Sequence, residues 1–117
     1  MIAEGNGIQV AINHVGDIIT SADNGVTWSD SISPFKSADA LWTYVGIVFG
    51  GGHFLAYGSS IVIIGTGLPA TEWMSTLTTG NWVNATFDGS NWFLTDLLGR
   101  TIMSKTSYPA EWVKPRL

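Results

Sequence analysis

The sequence predicts an all-β fold in which about three four-stranded sheets stack one after another along the 117-residue chain. Residues 21–28 read S-x-D-x-G-x-T-W, and they follow an alternating apolar run at residues 8–12. The same outline returns before Trp73 and again before Trp112, so that three units close on a tryptophan. A repeat of about 40 residues that ends after a tight turn is typical of stacked antiparallel sheets.

Composition agrees with many short strands and few helices. Apolar residues make up 45% of the chain and charged residues only 12%, while glycine occurs 14 times. Such a mixture favours strands joined by tight turns. The apolar content is sufficient for a packed core, and the length predicts a single repeat domain. Its approximate units are residues 1–36, 37–79 and 80–117.

Charge and cysteine content exclude several classes of protein. The net charge is −4 with five Lys and Arg residues, which argues against a surface that binds nucleic acid. There is no cysteine, so neither disulfides nor thiolate metal sites are expected. Residues 1–4 carry no basic region of a signal peptide, and the apolar stretch 61–64 is far too short to span a membrane. No membrane partner is expected, and the cellular location stays open.

Each unit is predicted to contain strands a to d in chain order. Strand b is predicted at residues 8–12, 53–57 and 92–96, and strand c at residues 18–21, 61–64 and 101–104. Strand a is predicted at residues 44–49 and 82–87, with only residues 1–4 left for it in the first unit. Glycine-containing turns at residues 5–7, 50–52 and 88–91 precede strand b, since glycine supplies the positive φ that a hairpin turn requires.

These motifs resemble the Asp-box, or BNR-repeat, β-propellers with sialidase-like repeats that occur in phage and secreted proteins. The complete motif at residues 21–28 is the most specific part of the resemblance. The later turns depart from it, because residues 65–73 lack both Ser and Asp and residues 104–112 keep only the Ser. The residues assigned to the structural motif are Ser21, Asp23, Gly25, Thr27, Trp28, Trp73 and Trp112.

The Asp-box motif is expected to have a structural role. The carboxylate of Asp23 can accept backbone N–H groups in the hairpin between strands c and d. Gly25 relieves φ strain there, and Trp28 is expected to bury its ring beneath the turn. In the family this hairpin lies at the periphery of a blade, away from the ligand face.

Three blades predict self-association. Propellers close with about four to eight blades, so three units form an open arc with two uncovered blade faces. Exposed apolar faces of that size usually mark an interface. We therefore predict a homodimer, a six-bladed ring in which the Met1 edge of one copy docks on the last blade of the other. The alternative is a β-trefoil, which also has three repeats and closes as a monomer.

The family name suggests a sialidase-like glycoside hydrolase fragment as the alternative function. Such enzymes hold the substrate carboxylate with an arginine cluster, whereas this chain has only Arg100 and Arg116. Glu72 and Glu111 occupy matching positions before the closing tryptophans, which favours a turn role over a catalytic pair. His14 and His53 fall at different points of the repeat and have no partner at metal-ligand spacing. We expect no enzymatic activity, catalytic residue, metal or cofactor.

Binding or assembly is the function that the sequence favours. Aromatic rings stack on sugar faces, and four of them come from strand a, strand b or nearby loops. These predicted ligand-binding residues are Trp42, Tyr44, Trp82 and Trp92. The alternative is that the same rings fill the core between blades. The chain is expected to be a non-catalytic recognition or assembly module, carbohydrate-binding or associated with a phage virion or tail. Its expected partners are a second copy, a glycan or other phage structural proteins.

Overall fold

The computed structural model describes residues 1–35, 43–67, 72–75, 80–109 and 111–113. Within these residues every regular element is a β-strand, and the strands form three antiparallel sheets, which we call blades 1, 2 and 3. Blade 1 contains β1 (Ile2–Gly5), β2 (Ile8–Ile12) and β3 (Ile18–Ser21). Blade 2 contains β4 (Tyr44–Gly50), β5 (His53–Gly58), β6 (Ile61–Gly65) and β7 (Met74–Ser75). Blade 3 contains β8 (Trp82–Phe87), β9 (Trp92–Asp96), β10 (Thr101–Ser104) and β11 (Trp112–Val113).

The predicted strands a, b and c are confirmed in all three blades, with ends that differ by one residue at most. Each blade is a meander in which strands pair with their neighbours in the chain. The predicted hairpin turns are also present. Asn6 and Gly7 have φ values of 52° and 76°, and Gly51 and Gly52 have 57° and 80°. Two successive residues with positive φ are typical of the type I′ turn that joins antiparallel strands.

Blade 1 differs from the four-stranded sheet that the repeat predicts. Ile18 and Ile32 exchange backbone hydrogen bonds of 2.7 and 2.9 Å, but they form only an isolated bridge beside β3. The backbone N–H of Thr20 donates to the hydroxyl of Ser29 at 2.9 Å, in the place of a backbone carbonyl. The backbone N–H of Ser29 still donates to the carbonyl of Thr20 at 2.8 Å. Among the described residues the fourth strand of blade 1 is therefore reduced to one backbone hydrogen bond at Ser29 and the bridge at Ile32.

The first strands of the three blades lie side by side, with β1 next to β4 and β4 next to β8. Two hydrophobic cores fill the spaces between blades. The core between blades 1 and 2 includes Val10, Ile18 and Phe54, and the core between blades 2 and 3 includes Leu55, Trp92 and Leu94. This arrangement of the described strands is that of consecutive propeller blades, and it does not form the closed barrel of a β-trefoil.

Burial differs between the middle blade and the outer blades. In β5 every residue after His53 is buried, and β6 is buried throughout, because blade 2 has a neighbour on each face. In β2 and β9 buried and half-buried residues alternate. One face of blade 1 and one face of blade 3 are therefore uncovered in the single chain.

A glycine and a phenylalanine pack together at both contacts between blades. Gly5, which ends β1, lies directly against the ring of Phe49, and Gly50, which ends β4, lies against Phe87. A Cβ atom on Gly50 would come within 2.7 Å of Phe87. The residue before the packing glycine is Phe49 in blade 2 but Glu4 in blade 1, so blade 1 lacks the packing phenylalanine. Asp88 follows Phe87, so blade 3 has no such glycine.

No helix in the described part of the chain has the length and apolar character needed to cross a membrane.

Candidate functional site

The Asp-box turn is held by hydrogen bonds that centre on Ser21 and Asp23. Ser21 is buried at the end of β3, and its hydroxyl donates to a carboxylate oxygen of Asp23 at 2.8 Å. The same hydroxyl oxygen accepts the backbone N–H of Gly25 at 2.9 Å. Thr27 donates its backbone N–H to Asp23 at 2.8 Å and also hydrogen-bonds the carboxylate through its hydroxyl. The carboxylate therefore spans the turn as the sequence motif predicts.

These bonds stabilise the ionised carboxylate. The side-chain and backbone hydrogen bonds from Thr27, followed by the one from Ser21, lower the pKa of Asp23 from 3.8 to about 2. Gly25 has a φ of 85°, which agrees with the strain relief expected for this position. The polar side-chain groups of Ser21, Asp23, Thr27 and Trp28 all form hydrogen bonds within the turn. The motif therefore stabilises the turn.

Trp28 is only partly buried. Its indole N–H donates to the carbonyl of Gly25 at 3.1 Å, so the ring does lie against the turn. However, the residue is 38% exposed, and the large burial expected from the sequence is wrong for this single chain. The reason is that Trp28 is not part of a strand and is held by the turn alone.

The other two closing tryptophans are placed differently. Trp73 precedes β7 and is buried in the core between blades 1 and 2, with 7% exposed. Trp112 lies in β11 and packs against the core between blades 2 and 3. In the third turn the hydroxyl of Ser104 accepts the backbone N–H of Trp92 at 2.7 Å and donates to the carbonyl of Thr106 at 2.7 Å. The serine of the motif thus keeps a bridging role without its aspartate.

The predicted ligand-binding aromatics lie mostly in the cores. Tyr44, Trp82 and Trp92 are 1%, 4% and 0% exposed. Their rings pack between blades, which is the alternative role that the sequence offers, because strands a and b of each blade face a neighbouring blade. The indole N–H groups of Trp82 and Trp92 have no hydrogen-bond partner among the described residues. In this arrangement none of the three presents a free ring face to a sugar, and Trp42 lies outside the described residues.

A groove opens beside β6 and β7, where blade 2 meets the third-blade turn. It has a volume of about 460 Å³. The described residues that line it are His53, Ile64, Gly65, Thr66, Glu72, Trp73, Met74 and Tyr108. The rings of His53 and Tyr108 meet edge to face, with centroids 5.3 Å apart and planes at 77°. The hydroxyl of Tyr108 donates to the sulfur of Met74 at 3.4 Å. Volumes of this order are usual for small ligand sites.

The polar atoms of this groove are mainly hydrogen-bond acceptors. Nδ1 of His53 lies 3.0 Å from the carbonyl of Gly51, and since a carbonyl can only accept, Nδ1 carries the proton. Nε2 of a neutral His53 is then an acceptor. Glu72 is exposed at the rim and contributes a carboxylate. No Lys or Arg is among the described residues that line the groove.

The other charged residues singled out in the sequence serve the turns. Arg100 donates to Asp96 at 2.8 Å, and Asp96 also accepts the backbone N–H groups of Leu98 and Arg100. Burial raises the pKa of Asp96, but the hydrogen bonds from Arg100 and Leu98 outweigh it and hold that pKa below its ordinary value. Glu111 pairs with Lys105 at 3.1 Å across the third turn, as a turn role predicts. In the described part of the chain no three His, Cys, Asp or Glu residues cluster as metal ligands would.

Sequence reasoning missed the groove. The sequence offers His53 only as a possible metal ligand, and no motif points to Tyr108 or Met74. These residues come from distant parts of the chain and meet only in the fold. One signal was available: Glu72-Trp73 and Glu111-Trp112 are matching pairs, and only one of the two glutamates has a lysine near it.

Comparison with known proteins identifies the fold. No family profile and no curated protein matches the sequence. The chain is similar to a solved structure described as "YCF48 bound to D1 peptide", with a TM-score of 0.72 and 14% sequence identity. The match covers 97% of this chain but only 38% of that one. YCF48 is a β-propeller, and the antiparallel sheets of the present chain are those of propeller blades. The present chain spans about two fifths of the length of YCF48.

Proposed function

We propose that this chain is a non-catalytic assembly and recognition module, in which two copies complete a ring of propeller blades. One observation carries the proposal: blade 2 is covered on both faces, whereas blades 1 and 3 are each covered on one. An uncovered sheet face that carries apolar side chains is stabilised by a further sheet packed on it.

The uncovered face of blade 1 carries an apolar row. Ile2 and Ile19 both pair with Ala11, so the three side chains lie on one face across the sheet. That face is opposite to Val10 and Ile12, which are buried against blade 2. Ile2 is 57% exposed in the single chain. A partner blade packed here would remove this apolar surface from water.

The uncovered face of blade 3 is the second half of the proposed interface. Phe93 pairs with Thr86 on one side and with Met103 on the other. Met103 in turn pairs with Val113, and the row therefore crosses all four strands. These residues alternate with Trp92 and Leu94, which face blade 2. Head-to-tail packing of this face on blade 1 of a second copy would give a six-bladed ring.

Native mass by light scattering tests the proposal. We expect twice the chain mass of 12.6 kDa, and a single-chain mass at micromolar concentration contradicts it. Ile2→Glu places a charge on the uncovered face of blade 1 and should dissociate the dimer. Val26→Glu is the matched control, because Val26 is 80% exposed at the Asp-box turn and belongs to neither apolar row. Equal effects of the two variants would exclude this face.

The uncovered faces of blades 1 and 3 also differ in charge from the contacts between blades within the chain. In head-to-tail packing, Asp88 would take the place of the packing glycine and Glu4 that of the phenylalanine. Hydrogen bonds from the backbone of Asn91 and Ser90 lower the pKa of Asp88, so it stays ionised. Two carboxylates at the junction would make ring closure weaker than the contacts within the chain, and reversible.

Replacing both residues sharpens the test. The double variant Glu4→Phe with Asp88→Gly recreates at the junction the packing of Gly50 on Phe87. We expect the dissociation constant of the dimer to fall by about tenfold or more, since a repulsion is removed and aromatic burial is added. An unchanged constant, measured by sedimentation equilibrium, would show that the junction does not repeat the internal contact.

Recognition by the assembled module stays a prediction. The resemblance to Asp-box repeats implies glycans or phage structural proteins as partners, and the description of YCF48 names a peptide for that protein. Screening the purified chain against a glycan array, with a purified phage particle fraction in parallel, distinguishes these partners.

A further inference from the structure

We propose that the groove lined by His53, Glu72, Trp73, Met74 and Tyr108 binds the arginine or lysine side chain of a partner polypeptide. The groove lies within one chain, so this inference does not depend on ring closure by a second copy. It assigns a ligand class to a surface that the Asp-box motif and the blade cores leave unused.

The shape and lining of the groove suit an aliphatic stem that ends in a cation. Trp73 is 7% exposed, so the groove rests on its buried ring, and Met74, which is 61% exposed, adds apolar surface. The methylene groups of Arg or Lys pack well on such surface while the charged end stays near solvent. The ring of Tyr108 stands at the side, held by its edge-to-face contact with His53 and its hydrogen bond to Met74. A cation near an aromatic face of this kind is attracted by the ring.

The charge of the groove selects a cation. Glu72 is exposed at the rim, and its carboxylate makes no hydrogen bond or ion pair with the residues that the structure describes. Nε2 of His53 is an acceptor when the ring is neutral. The matching Glu111 is already paired with Lys105 at 3.1 Å. Glu72 is thus the carboxylate of the pair that is available to an incoming guanidinium or ammonium group. The net charge of −4 on the whole chain also favours a positively charged ligand.

Peptide binding measured by isothermal titration calorimetry tests the inference. The probes are acetyl-Gly-Arg-Gly-amide and acetyl-Gly-Lys-Gly-amide, with the citrulline peptide as the uncharged analogue of arginine. We expect the two cationic peptides to bind, and the citrulline peptide to bind at least about threefold more weakly. Binding of the cationic peptides should weaken in 0.5 M salt, because screening reduces the attraction to an exposed carboxylate.

Two pairs of variants locate the site. Glu72→Gln should weaken binding of the arginine peptide about two- to fivefold, while Glu111→Gln should leave it unchanged. Tyr108→Leu should weaken binding by a similar factor, and Tyr108→Phe, which keeps the ring, should restore it. Melting curves of all four variants confirm that each is folded.

Several outcomes would overturn the inference. Equal binding of arginine and citrulline peptides would show that charge is not recognised. An equal loss of peptide binding in Glu72→Gln and Glu111→Gln would show that the peptide is attracted by the net negative charge of the protein and not by Glu72 in particular. Absence of binding by both cationic peptides at about 10 mM would show that the groove does not bind a cationic side chain. None of these outcomes depends on the native mass, so failure here and failure of the proposed ring are distinguishable.

Discussion

Blades 2 and 3 carry the same four-strand pattern in different surroundings. Strand b contains a phenylalanine in both blades, Phe54 in β5 and Phe93 in β9, but the two rings lie on sheet faces with different neighbours. Phe54 is fully buried because blade 1 covers that face of blade 2, whereas Phe93 is half-buried on the uncovered face of blade 3. The same residue type in the same strand of the repeat therefore contributes differently to stability according to the blade that covers it. Repeat architectures gain much of their stability from contacts between adjacent units.

The largest expected difference comes from truncating these two rings. Phe54→Ala should lower the free energy of unfolding by about 3–5 kcal/mol, since it leaves a cavity in a closed core. Phe93→Ala should cost about 1–2 kcal/mol in the single chain, because part of the ring is already in water. Urea unfolding of both variants at low protein concentration checks the difference.

The same pair of variants also probes ring closure. At high protein concentration, where two copies would pack together, Phe93→Ala should lose more stability than it does at low concentration. Phe54→Ala should show no such additional loss. If the two variants are equally destabilised at low concentration, the contrast between covered and uncovered blades is wrong.

A smaller effect is expected at the contact between blades 2 and 3. Gly50→Ala places a Cβ atom 2.7 Å from Cβ and 2.8 Å from the ring of Phe87 and should cost about 1–3 kcal/mol. A double-mutant cycle with Phe87→Ala isolates the part of the cost that comes from the ring, because Cβ of Phe87, 2.7 Å from the added methyl group, remains in the alanine variant. Equal costs of Gly50→Ala with and without the ring would assign the effect to Cβ of Phe87 or to the backbone instead.

The comparison of blades also shows how far the sequence can be interpreted. Strands a, b and c follow from local alternation and turn residues such as Asn6-Gly7, whose positive φ values the structure confirms. Blade 1 has no regular fourth strand in the part of the chain that the structure describes, and the hydroxyl of Ser29 there takes the place of a backbone acceptor, which no periodicity encodes. Local pattern is sufficient where pairing is between neighbours in the chain.

The groove could not be predicted in the same way. His53 begins β5, Glu72 and Met74 flank Trp73, and Tyr108 belongs to the third turn. Their proximity depends on how blade 2 and the turn of blade 3 pack, which is a tertiary property. The burial of Trp82 and Trp92 is likewise decided by the neighbouring blade and not by their strands alone.

The smallest effect is expected where a turn is held by its own side chains, outside the cores. Asp23→Ala should lower the melting temperature by a few degrees at pH 7, because Thr27 and Ser21 lose their carboxylate partner. The pKa of Asp23 in the folded chain is about 2, below its ordinary value of 3.8, so its contribution is present above pH 4 and is lost as the pH falls towards 2. The melting temperatures of wild type and variant should therefore converge in acid. Thr106→Ala, at the corresponding position of the third turn, removes a neutral hydrogen bond to the carbonyl of Tyr108 and should give a pH-independent difference. A gap between wild type and Asp23→Ala that persists at pH 2 would show that the turn is held by packing of Trp28 and not by the ionised carboxylate.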